Sequence, residues 1–201
     1  MHGSMESVQK QIERYIKQKP LGSIFFPDDF SAFGSSDAVR KALERLVDKE
    51  VVFRIAQGIY TRPKKSKLIG EVMPSAEEVA KAIIKRDKVR AVPTGSYALN
   101  ALGLSTQIPM RIVLLTDGSP REIKIGKRTI KFKKTTPKNL LAKGKISRLV
   151  IQALKEIGNG QVTESEEAKI IKLLKEEDQK DLIYDIGLAP VWIQKIMKKA
   201  L

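Results

Sequence analysis

Apolar residues return at helical spacing from the start of the chain. In "MESVQKQIERYIKQ" (5–18), Val8, Ile12, Tyr15 and Ile16 share one face, which predicts a helix that Pro20 stops. "SIFF" is a short apolar run, and Pro27 opens a short helix through Phe30, because proline suits the first helical position. A second stripe follows in "GSSDAVRKALERLVDKE": Val39, Ala42, Leu43, Leu46 and Val47. Gly34 makes the turn before it, Ser35 or Ser36 supplies the N-cap, and Asp37 suits the positive first turn. Ser36, Asp37, Arg40, Lys41, Glu44 and Arg45 lie largely off that stripe. The pattern then changes. "VVFRIAQGIYTRPKK" reads as a β-hairpin turning at Gln57-Gly58 and ornamented by Arg54, Arg62, Lys64 and Lys65.

Composition shifts in "RPKKSKLIGEVMPSAEE" (62–78), with two prolines and a run of lysines, and the boundary is expected near Ser66. This gives an N-terminal domain over 5–65 and a C-terminal domain over 66–201. Residues 1–4, Met-His-Gly-Ser, read as an expression scar before a Met5 start. The second part opens on a helix at Ser75, whose "SAEE" supplies a cap and a carboxylate three residues on, with Val79, Ala82, Ile83 and Ile84 on its buried side. "RIVLLT" (111–116) is a nearly continuous apolar strand, the type buried on both faces. In "REIKIGKRTIKFKKT", Ile123, Ile125, Ile130 and Phe132 alternate with Lys124, Lys131 and Lys133 around a Gly126-Lys127 turn. One face is then apolar and the other is lysine. The last third is helical. "ISRLVIQALKEIG" ends at Gly158, "TESEEAKIIKLLKEED" opens with a Thr163–Glu166 capping box, and Pro190 starts a final helix in which Trp192 packs inward.

Helix, short helix, capped helix and basic hairpin is the order of a winged helix-turn-helix. The expected fold class is therefore α+β: that winged unit, then a mixed α/β C-terminal domain with a small sheet and a helical C-terminal third. In a winged helix one helix enters the DNA major groove and the hairpin lies over the backbone or minor groove. The reading-helix candidates are Ser36, Arg40, Lys41 and Arg45; Arg40 and Arg45 can read guanine edges or grip phosphates. The wing candidates are Arg54, Gln57, Arg62 and Lys64, which position the protein on the backbone. Asp37 and Glu44 share the reading helix and repel phosphates unless they accept from cytosine or hold the arginines in place. The alternative is a small α+β module used for protein contacts.

Charge and composition narrow the chemistry. The net charge is +15, which favours a polyanionic partner through counterion release; a lysine-rich solvated surface is the alternative. From Arg111 to Lys155 there are thirteen cations against Asp117 and Glu122 alone. Lys124, Lys131 and Lys133 are the candidates for a second basic surface that extends a DNA footprint or docks RNA or an acidic protein. There is no cysteine, and the single histidine is His2, inside the expected scar. Disulfides, thiol nucleophiles, cysteine zinc sites, histidine triads and histidine-ligated metals lack their central residue. No metal or cofactor is expected. No apolar run approaches the ~20 residues that span a bilayer, so a cytoplasmic chain without a membrane partner is expected.

One motif tests the enzyme alternative. "TGSYALNALGLSTQIP" (94–109) follows the apolar stretch 89–92 as a phosphate-binding turn would. Nucleotidyl transfer also wants paired carboxylates for magnesium, but the next acid is Asp117, with no acidic partner two positions away. The motif reads better as a helix start capped by Thr94 or Ser96, with Tyr97, Leu99 and Leu102 packing inward. No enzyme is expected.

A wing ending "GIYTRP", then "PTGSYALNALGLSTQIPMRIVLLTDG", then "IKIGKRTIKFKK", resembles the AbiEi-type antitoxin family of bacterial type IV toxin–antitoxin (abortive infection) systems, in its short, DUF6088-like branch. The resemblance runs from about Ser7 to Leu201. It implies a two-domain antitoxin whose N-terminal winged helix binds inverted repeats in its own promoter and represses transcription. It also implies a C-terminal domain needed for antitoxicity that assists DNA binding. The implied partners are promoter duplex DNA and a separate nucleotidyltransferase-type toxin, countered without a stable inhibitory complex. A stand-alone winged-helix regulator, or an RNA- or protein-binding module without a toxin, is the alternative.

Overall fold

The computed structural model describes residues 6–68 and 70–201. The expected scar, His2 and the Met5 start lie outside the described residues. Packing divides the chain between Ala82 and Ile83, and the composition shift at Ser66 lies inside the first unit. The architecture is mixed α and β, with small sheets and many short helices.

In the first unit, α1 (Val8–Gln18) and α2 (Ser36–Asp48) flank a short strand β1 (Ile24–Phe25) and a 3₁₀ helix, Pro27–Phe33. Ser7 caps α1 and Ser35 caps α2, each accepting from the backbone N–H three residues on. The apolar stripes do what their spacing predicts: Ile12, Ile16, Leu43 and Leu46 are fully buried around Phe30. Tyr15 meets Phe30 edge-on at 5.7 Å, and Phe33 at 5.9 Å. The hairpin forms as β2 (Phe53–Ala56) and β3 (Ile59–Thr61), with Gly58 at φ 66° in its turn. Val51 and Val52 precede the strand; Val52 is buried in the core instead. β1 pairs with β3, so the sheet order is β1-β3-β2, all antiparallel. A second hairpin, β4 (Lys64–Ser66) with β5 (Gly70–Val72), occupies what reads as linker in the sequence. Lys-Lys-Ser and Gly-Glu-Val are three-residue strands that carry too little β signal to stand out.

Helix α3 (Ala76–Asp87) runs across the division. Its capping box is real: Glu78 accepts from Ser75 N at 2.7 Å and Ser75 Oγ accepts from Glu78 N at 3.2 Å. Ala76, Val79, Ala80 and Ile83 are its buried positions; Ala82 and Ile84 are only partly covered.

The second unit holds β6 (Ala91–Thr94), α4 (Ser96–Ala101), β7 (Arg111–Thr116), β8 (Arg121–Ile125) and β9 (Arg128–Lys134). These four strands form a sheet of order β6-β7-β9-β8, in which β7 and β9 are parallel and the other pairs antiparallel. Ile112, Leu114, Ile130 and Phe132 fill one face and are buried. On β7 the other face is only half-covered, contrary to the expectation from its apolar run. Val113 and Leu115 stand in register beside Lys131 and Lys133, whose ends must reach water. After a 3₁₀ turn (Pro137–Leu140) come α5 (Ser147–Ile157), α6 (Glu164–Leu174), α7 (Gln179–Ile186) and α8 (Val191–Met197). They share one core with α4, built on Ala98, Val150, Leu154, Ile170, Leu174, Leu182, Ile193 and Met197, with Trp192 packed against it. Thr163 and Glu166 form the expected capping box on α6.

The loop into α5 is held by carboxylates from distant sequence. Asp185 is fully buried and accepts from Lys143 N and Gly144 N, both at 2.8 Å, and from the Ser147 hydroxyl. Glu177 accepts from Ile146 N and Ser147 N. These are backbone donors that a helix start leaves without intrahelical partners. A Cβ on Gly144 would collide with the Ser147 hydroxyl and the Glu177 carboxylate, so only glycine fits there.

Candidate nucleic-acid interface

The exposed side of α2 carries two stripes at helical spacing. Ser36, Arg40 and Glu44 form one; Asp37, Lys41 and Arg45 form the other. Arg40 is the hub. Its Nη2 donates to Asp37 Oδ1 at 2.7 Å and its Nη1 to Glu44 Oε1 at 3.0 Å. Lys41 Nζ reaches Asp37 Oδ2 at 2.8 Å. The hydrogen bonds from Lys41 and then Arg40 hold the Asp37 carboxyl below its ordinary range. The hydrogen bond to Asp37 and the Glu44 charge push Arg40 upward. Asp37 and Glu44 therefore hold Arg40 and Lys41 in place, one of the two roles that the sequence allows them. Arg45 makes no ion pair among the described residues, and with Lys41 it lines a surface groove against Ser7 and Gln9 at the start of α1. Ser36 is exposed in the first turn, and the cap is Ser35, whose Oγ accepts from Ala38 N.

The hairpin residues separate. Arg54 is exposed on β2, one register position from a bulge between Arg54 and Ala56, and Gln57 is exposed in the turn. Arg62 is committed elsewhere: its Nη1 donates to the carbonyls of Lys17 and Lys19, both at 2.8 Å, closing the C-terminal end of α1. Lys64 lies on the second hairpin, opposite Val72, with its stem against Gly22. Nothing in the sequence marks Arg62 as a helix clamp, because its partners are more than forty residues away.

The second basic surface is one face of the four-stranded sheet. Register places Arg111, Lys131, Lys133 and Lys124 together, with Glu122 as the carboxylate among them. Glu122 lies 3.7 Å from Arg111 and 3.8 Å from Lys131. Lys124 and Lys133 are exposed and make no ion pair among the described residues. The thirteen cations do not form one patch. Arg121 is paired with Asp87 and lies over the Phe132 ring, and Arg128 Nε donates to Pro109 O. Lys143 sits 4.3 Å from the Tyr184 ring centre.

At the "PTGS" turn neither Thr94 nor Ser96 caps the helix; Gly95 holds the cap position at φ 64°. A Cβ there would lie 3.6 Å from Glu156 Oε2, so a carboxylate already faces the turn and opposes a phosphate. Ala98 and Leu102 are the inward residues of α4, while Tyr97 and Leu99 are only partly covered. Asp117 accepts from Arg90 N at 2.8 Å and from Arg90 Nε at 3.4 Å. Among the described residues no group of three or more metal-ligating side chains comes together, and no helix is long and apolar enough to cross a membrane.

A family model described as "Family of unknown function (DUF6088)" matches residues 11–182. The chain belongs to this family. The match spans both packing units of this DUF6088 protein. It is also similar to the protein in the "Crystal structure of RV2827C protein from Mycobacterium tuberculosis", with a TM-score of 0.47 and 10% identity, over 96% of this chain and 82% of that one. No curated protein matches.

Proposed function

We propose that this DUF6088 protein is a winged-helix DNA-binding autorepressor, the antitoxin of a type IV toxin–antitoxin system. On this reading α2 is the reading helix, β2 and β3 are the wing, and the partners are promoter duplex DNA and a nucleotidyltransferase-type toxin. The observation that carries the DNA-binding part is the α2 face. Ser36, Arg40, Lys41 and Arg45 are exposed on one capped helix, followed by a hairpin on which Arg54 and Gln57 are exposed. Arg40, splinted by Asp37 and Glu44, is a preorganised fork of the kind that reads guanine bidentately. The net charge of +15 supports a polyanionic partner. The antitoxin part rests on the resemblance of the "GIYTRP", "PTGSYALNALGLSTQIPMRIVLLTDG" and "IKIGKRTIKFKK" segments.

Titration onto the chain's own upstream DNA and onto a scrambled duplex, at two salt concentrations, tests the first part. A preference of roughly a thousandfold is expected. Equal, steeply salt-dependent binding to both would sink it. The second part predicts a toxin gene beside this one, and co-expression with it is the test: growth restored by this chain supports the antitoxin role, and growth not restored, or no such gene, leaves a stand-alone regulator. The Arg111, Lys124, Lys131 and Lys133 face supports a second reading, an RNA- or acidic-protein-binding module, for which binding to RNA in preference to duplex is the expected sign.

A further inference from the structure

Helix α5 presents Arg148, Gln152 and Lys155 on one side, at the i, i+4, i+7 spacing that aligns side chains along a helix. That side forms a narrow cleft with Lys138 and Asn139 of the 3₁₀ turn Pro137–Leu140. Three cations therefore converge on one concave site, and no carboxylate lines it. None of the three makes an ion pair among the described residues. Four acids of this unit lie on other groups: Glu177 and Asp185 on the backbone before α5, Glu122 on the sheet face, Glu156 at Gly95. Gln152 is buried, and no hydrogen bond of its amide to another protein group occurs among the described residues. The Asn139 amide is spent on Thr135 and Thr136, which fixes the turn that carries Lys138.

Gathering like charges without a counterion is unfavourable. The cost registers on Lys155, whose ammonium is held below its ordinary value, first by desolvation and then by the Lys138 charge. An anion seated between the three offsets both by its opposite charge. It also gives Arg148 and the lysines charge-assisted bonds and gives Gln152 an acceptor.

We infer that the cleft formed by Lys138, Arg148, Gln152 and Lys155 binds a phosphate group. The chemistry is the same for a free phosphate and for a phosphate of a nucleic-acid backbone. The inference does not rest on the α2 reading, because the cleft lies wholly within the second unit.

The test is calorimetric titration of inorganic phosphate into the full chain at low ionic strength. Saturable one-site binding is expected, weakened about tenfold or more in Arg148→Gln and in Lys155→Met, the range for loss of a charge-assisted bond. Lys145→Gln removes the same charge outside the cleft and is expected to bind as the parent does. Non-saturating heats, or equal losses in all three variants, would overturn the assignment. A second readout follows the Lys155 side chain by NMR. Phosphate is expected to move its titration upward, and no movement at saturating phosphate also overturns the assignment. Should a variant fail to fold, this readout on the parent chain keeps the question decidable. With phosphate bound, added duplex DNA separates the sources. Displacement identifies a backbone phosphate, and retention identifies a free or small-molecule one; either outcome presupposes the site.

Discussion

Two sites, the outer face of α2 and the loop into α5, use their carboxylates in opposite ways. On α2, Asp37 and Glu44 face outward and hold Arg40 and Lys41. In the second unit, Asp185 and Glu177 turn to backbone N–H groups before α5. Lys124, Lys133, Lys138, Arg148 and Lys155 of that unit make no ion pair among the described residues. Similar residue types thus build a splinted exposed face in one place and, among the described residues, a group of cations without ion pairs in the other. The first arrangement suits discrimination, because a fixed guanidinium fork keeps its geometry on binding. The second suits affinity for phosphate, because nothing competes for the charge.

The largest expected effect tests the inward carboxylate. Asp185→Ala leaves the buried Gly144 N–H and the part-buried Lys143 N–H unanswered and takes from the Ser147 hydroxyl its nearer acceptor. It is expected to cost about 3 kcal/mol of stability, read as a lowered urea midpoint. Asp37→Ala, on the exposed helix, is expected to leave that midpoint in place. Equal midpoints for both variants would erase the contrast between the two sites.

Next in size is Arg40→Ala. Roughly ten- to a hundredfold loss of binding to the chain's own promoter is expected, with little change on random duplex. Equal losses on both would make Arg40 a phosphate contact and bring α2 closer to the sheet face in kind.

Replacing Lys124, Lys131 and Lys133 by Gln is expected to weaken binding to all duplexes alike. It should also flatten the log–log salt dependence by roughly one unit for each lysine that touches a phosphate. An unchanged salt slope would remove this face from the DNA footprint and turn attention to RNA or protein.

The smallest effect is the pH response of the splint. The folded Asp37 carboxyl titrates below its ordinary value, so what it contributes is present above the ordinary carboxylate range. That contribution is lost as pH falls through the depressed value. Carboxyl NMR titration is expected to show the depressed midpoint in the parent chain and an ordinary one after Arg40→Ala and Lys41→Ala are combined. An ordinary midpoint in the parent would mean that the pairs with Arg40 and Lys41 do not persist in solution.

Much of this was legible in the chain because it depends on neighbours within four residues. The stripes of α1, α2 and α5, the caps at Ser75 and Thr163, and the Gln57-Gly58 and Gly126-Lys127 turns are local, and their spacing alone predicts them. The alternation in "IKIGKRTIKFKK" likewise settles which side chains share a face once a hairpin forms. The β4–β5 hairpin was not legible, since its strands are three residues each and hold a single β-branched residue, Val72. What tertiary structure alone decided is the set of long-range partners. It returned β9 to lie parallel to β7, bound Arg62 to the end of α1, and brought Asp185 and Glu177 to the start of α5 from some thirty to forty residues away. It also drew Lys138 to Arg148 and Lys155 around one cleft. Periodicity fixes which side of an element is buried, but a charge's partner depends on where separate elements meet, and that is set by how their apolar faces pack.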